Sequence, residues 1–121
     1  MNNIDLIKDI ATNCFEHYSM EDILKYSNTI AEYIGNVKDE IINSKDGILN
    51  DRIKDYISVI IFNANNINIV SLLPKQLIDF SVCDLNVLDN LLNDLCRTME
   101  IFSKEIYKNI IEKSGYTGNQ I

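Results

Sequence analysis

The chain has 121 residues, the size of one domain, and its 46% hydrophobic and 24% charged composition excludes the disordered and fibrous classes. It holds 4 Gly and 1 Pro, too few for an all-β sandwich or barrel, which needs a turn roughly every 8–12 residues. A formal net charge of −7, with Arg52 and Arg97 as the two arginines, leaves no basic face for nucleic-acid phosphates or an anionic membrane surface. Such a chain suits a partner that is apolar on one face and basic elsewhere.

From Asn3 to His17 the apolar residues Ile7, Ile10, Ala11, Cys14 and Phe15 form a helical stripe. Ser19 opens a capping-box variant, with Asp22 in the place of Glu. Ile23, Leu24, Ser27, Ile30, Ala31 and Ile34 follow on one face of a second helix. Gly35 predicts a stop or kink, with a short third helix carrying Val37, Ile41 and Ile42. Ser44–Gly47 is a turn, and Asn50 caps a fourth helix that buries Ile53, Tyr56, Ile57, Ile60 and Ile61. Asp51 in its first turn suits the helix dipole. The Asn-rich stretch Asn63–Asn66 ends it.

Between Ile67 and Val82 the residues Ile67, Ile69, Val70, Leu72, Leu73, Leu77, Ile78, Phe80 and Val82 leave no wide polar face. That pattern predicts a buried central helix, kinked or restarted at Pro74. Asp84 or Asn86 then caps a last helix to Lys113, with Leu88, Leu91, Leu92, Leu95, Met99, Phe102, Ile106 and Ile110 on its apolar face, closed by Gly115. A helix of that length predicts a bend near Arg97–Glu100. The expected architecture is therefore all-α: a single domain over residues 1–115, six or seven helices around one apolar central helix, with a frayed polar tail at 116–121.

The chemistry-bearing residues are sparse. Cys14, Cys83 and Cys96 are odd in number and contain no C-x-x-C, which predicts neither a disulfide framework nor a zinc site but buried, reduced thiols and a cytosolic location. Asp5, Lys8 and Asp9 interrupt the early apolar residues, so no signal peptide is expected. The longest uncharged run, Tyr56–Pro74, carries four asparagines and makes a poor membrane span. The one histidine, His17, sits where it caps the first helix, and no P-loop, G-x-G-x-x-G or H-E-x-x-H occurs. Adjacent acids such as Glu21 with Asp22 and Asp39 with Glu40 point to different sides of a helix. No catalytic residue, metal or cofactor is expected. Tyr26 and Tyr33, at the edges of the second helix's stripe, are interface candidates, whereas Tyr56 reads as core.

A helix bundle around an apolar helix, without catalytic residues, resembles the Bcl-2 family. That family's first homology motif reads Asn-Trp-Gly-Arg-Ile-Val-Ala-Phe-Phe, and Asn65-Asn66-Ile67-Asn68-Ile69-Val70-Ser71-Leu72-Leu73 occupies the corresponding place. Asn65, Ile69 and Val70 match; Asn66, Ile67 and Asn68 replace the Trp, Gly and Arg. Such erosion is similar to that in poxviral Bcl-2-like proteins, and 21 isoleucines with many Asn, Asp and Lys resemble AT-rich viral coding sequence. The resemblance implies an inhibitor of host apoptosis that takes the BH-3 helices of pro-apoptotic proteins into a groove. Its walls would be Tyr26, Ile30, Ile34 and Val37 on one side and Ile53, Tyr56, Ile57 and Ile60 on the other, with Ile69, Val70 and Leu73 as the floor and Asn65 and Asn68 also counted in the groove. The motif's arginine pairs with an aspartate of the bound helix; with Asn68 in its place, Arg52 or Lys54 is the substitute charge. The implied location is the host cytoplasm, or the mitochondrial outer surface where a C-terminal anchor follows. Two alternatives stand beside it: a closed-groove relative that blocks innate-immune signalling adaptors of the NF-kappa-B type, and a small acidic helical homodimer of bacterial or phage origin that pairs through the Leu88–Phe102 stripe.

Overall fold

Three of the long helices begin on a side chain suited to capping. The computed structural model describes residues 4–44, 47–80 and 84–113. Ser19 accepts a hydrogen bond from the Asp22 amide (3.1 Å), Asn50 from the Ile53 amide (2.9 Å) and Asp84 from the Val87 amide (2.8 Å). The resulting helices are α1 (Ile4–His17), α2 (Met20–Asn43), α3 (Asp51–Asn66), α4 (Lys75–Ile78) and α5 (Leu85–Lys113), with a 3-10 turn at Val70–Leu72. Among the described residues there is no strand, so the chain is an all-helical bundle. No helix there is long and apolar enough to cross a membrane. The expected tail at 116–121, the Gly115 terminus, Val82, Cys83 and the middle of the Ser44–Gly47 turn lie outside the described residues.

The largest helix–helix contact is the antiparallel hairpin of α2 on α3. A second face of α2 packs on α5, and α1 packs on α5 as well. Most of each stripe read from sequence is buried; the exceptions are Ala31 and Ile42 of α2, which are exposed. Ile23, Ile30, Ile34 and Val37 of α2, Ile53, Ile57, Ile60 and Ala64 of α3, and Leu88, Leu92, Leu95, Phe102 and Ile106 of α5 are buried in one common core.

Two expectations are corrected. Gly35 does not stop a helix: α2 runs unbroken for 24 residues, and the expected third helix is its last two turns. A glycine in a helix interior costs about 1 kcal/mol, less than the burial of Ile34 and Val37 on either side returns. Nor do the described residues between Ile67 and Phe80 form an apolar central helix, and among the described residues there are five α-helices, where six or seven were expected for the chain. α3 ends instead in a Schellman motif: the Asn68 amide donates to the Asn65 carbonyl (3.1 Å) and the Ile69 amide to the Ala64 carbonyl (2.8 Å), with Asn68 at φ 57°. Pro74 then keeps Leu73 extended (ψ 140°) and starts the four-residue α4. The predicted burial holds without the predicted helix, since Ile67, Ile69, Leu72, Leu73 and Leu77 all lie in the core. α5 is one continuous helix through Arg97–Glu100.

Asn68 occupies a left-handed backbone position that a Cβ-branched residue enters at a cost of about 1–2 kcal/mol. Urea denaturation of Asn68→Val is therefore expected to show a loss of about that size, and Asn68→Gly no loss. Equal stability for the valine variant would contradict the Schellman assignment.

Candidate partner-binding cleft

The residues expected to wall a groove on α2 and α3 are packed on one another. Ile30, Val37, Ile53, Ile57 and Ile60 are fully enclosed and Ile34 nearly so. Tyr33 and Tyr56 meet edge to face at 5.6 Å and cover the same seam, and Tyr26 is half-buried with the Lys25 ammonium 5.3 Å from its ring centre. Ile69 and Leu73 are buried behind it, and Val70 is half-buried. Prising six such side chains apart costs about 2 kcal/mol each, a sum comparable to the whole stability of a small domain. Asn65 and Asn68 are exposed at the end of α3 and serve its terminus. Arg52 pairs with Glu40 (3.7 Å) and Lys54 with Asp51 (3.9 Å) at the start of α3.

The opening lies on the other side of α2. Lys38 bridges from α2 to Asn93 and Asp89 of α5, the latter at 3.8 Å, and latches the two helices together. Toward the N-terminal half of α2 they part around a cleft of about 390 Å³. Ser27, Asn28, Ala31 and Ile34 line it from α2, and Cys96, Met99, Glu100, Ser103 and Lys104 from α5. The cause is side-chain size: buried Ser27 and exposed Ala31 stand one turn apart on the cleft side of α2, and Cys96 and Ser103 line the cleft from α5. Small residues on both faces leave space that a close-packed interior would fill. The sequence signal is those two small residues in an otherwise branched apolar stripe, where in sequence they read as ordinary stripe members. A second cavity, of about 580 Å³, lies between the start of α1, Leu72–Pro74 and Asp94–Ile101 of α5.

One polar group in the cleft wall is out of place. Ser27 is 93% buried, and among the described residues its hydroxyl is the sole enclosed side-chain polar atom without a hydrogen-bond partner. Three other helical side chains in this protein avoid that by donating to the carbonyl four residues back: Thr29 to Lys25, Ser58 to Lys54 and Asn63 to Val59.

Cys14 is buried, its thiol donates to the Ile67 carbonyl (3.6 Å), and burial pushes that thiol up to about 11. Cys96 is half-buried in the cleft lining. His17 Nδ1 donates to the Asn13 carbonyl (2.8 Å) at the end of α1. Among the described residues no three His, Cys, Asp or Glu side chains lie close enough to share a metal ion. No family model matches the chain, and neither do the curated proteins or the solved structures.

An enclosed hydroxyl without a partner lowers stability. Ser27→Ala is expected to raise the unfolding free energy by about 1 kcal/mol, while Asn63→Ala, which removes a made hydrogen bond, lowers it by a similar amount. Urea melts of the two variants check this, and a destabilised Ser27→Ala would contradict it.

Proposed function

We propose that this protein is a non-catalytic binding module that seats an amphipathic helix of a protein partner along the cleft between α2 and α5. The observation that carries this reading is Gly35. It lies exposed in the interior of α2 at an ordinary negative φ, and a Cβ added there would meet nothing within 4 Å. Nothing among the described residues requires a glycine at this position, yet it costs about 0.5–1 kcal/mol relative to alanine. It continues the line of Ala31, one turn earlier and also exposed, which runs into the cleft. A bare helix surface of this kind lets a second helix approach at the short end of the usual 8–10 Å range.

Charge narrows the occupant. Glu21, Asp22, Glu32 and Asp39 are exposed on α2, and the chain's net charge of −7 opposes a second copy and favours a basic helix. In its sharpest form this reading is the apoptosis inhibitor implied by Asn65–Leu73, with a host BH-3 helix as the occupant. That form rests on the residue resemblance alone. Within the resemblance, the closed α2–α3 seam favours the relatives that block innate-immune signalling adaptors.

The test is a calorimetric titration with a Lys/Leu-patterned helix of about five turns, a scrambled control and a panel of BH-3 helices. Binding of the basic helix in roughly the micromolar range is expected, with a loss of about tenfold or more in Gly35→Leu. Gly35→Ala is expected to stabilise the free protein by about 0.5–1 kcal/mol. Binding of BH-3 helices alone would replace the basic occupant with the death-inhibitor form. No binding by any helix, or binding indifferent to Gly35→Leu, would overturn the reading.

A further inference from the structure

The apolar walls of the cleft do not account for a buried hydroxyl in its lining. Ser27 has the option its neighbours take, donation to the carbonyl four residues back, and its hydroxyl is not so engaged. In this structure the oxygen is closed to water as well. Ser27 is part of the cleft lining, and its oxygen turns on a single torsion with three staggered wells, so an occupant would meet it through a turn of that torsion. Around it the space of about 390 Å³ is bounded by Ala31, Ile34 and Met99, and takes a planar ring whose far end is polar. The Met99 thioether adds a favourable sulfur–aromatic contact.

We infer that Ser27 is the specificity-determining residue of this cleft, and that the anchor inserted by the partner helix is a tyrosine whose phenol pairs with the Ser27 hydroxyl. The inference rests on the helix-binding reading above and adds the chemistry of the buried anchor. An anchor without a hydrogen-bonding group would leave the hydroxyl as unsatisfied as it is in the free protein.

The test uses two Lys/Leu helices identical except for one central anchor, phenylalanine in one and tyrosine in the other, each titrated into the wild-type protein, Ser27→Ala and Ser27→Thr. The tyrosine helix is expected to bind the wild-type protein roughly fivefold more tightly, the worth of one net hydrogen bond. That preference disappears in Ser27→Ala and returns in Ser27→Thr, which keeps the hydroxyl. A merely structural serine would shift both affinities together and leave their ratio alone. Equal binding of the two helices to the wild-type protein overturns the tyrosine anchor while leaving the helix reading in place. Failure of both helices to bind overturns the two together.

Discussion

The contact between α2 and α3 sets the terms for every other part of the protein. Ile30, Ile34 and Val37 of α2 and Ile53, Ile57 and Ile60 of α3 are all at or near complete burial in the core that this contact builds. Because α2 gives that face to α3, a different face is left for α5, and the fit on that side is the looser one. The hairpin is stopped at its far end by the Schellman motif at Asn68, which turns the chain inward and lets Ile67, Ile69, Leu72 and Leu73 close the core without a helix of their own.

Much of this was legible in the residues. Ser19, Asn50 and Asp84 mark helix starts because each places an oxygen where the first-turn amides need one. The 3-and-4 spacing of α5 specifies its buried face from Leu88 to Ile106. Two places misled for physical reasons. A run that is apolar all round signals burial, but burial does not distinguish a surrounded helix from an irregular plug, and the deciding features were a left-handed Asn68 and the backbone limits of Pro74. Gly35 misled because propensity is a weak local term that packed neighbours override. The segment that resembles a family motif is the end of α3 and the turn after it; of the residues assigned to groove walls, Ile30, Val37, Ile53, Ile57 and Ile60 are enclosed, Tyr26 and Tyr56 are half-buried, and Ile34 also lines the α2–α5 cleft.

The cleft was harder to see. Small residues in an apolar stripe are common, and neither Ser27 nor Ala31 stands out until the gap to Met99 and Cys96 is visible. What gives the gap meaning is the coincidence of three features that each lower the stability of the free protein: an unfilled cleft, an enclosed hydroxyl without a partner, and a bare glycine on the adjoining helix surface. Proteins depart from local consistency mainly where function asks for it, and here the departures share one stretch of α2.

The central claim is that this cleft is open in the free protein and covered by a partner helix. Cys96, in its lining, reports on that directly, while Cys14 is buried with its thiol pushed up to about 11 and stays unreactive. In a Cys83→Ser background, the rate of Cys96 modification by a water-soluble thiol reagent is measured with and without a saturating basic amphipathic helix. The account predicts ready modification of the free protein and a slowing of roughly tenfold or more on binding. A rate unchanged at saturation would place the helix elsewhere and contradict it.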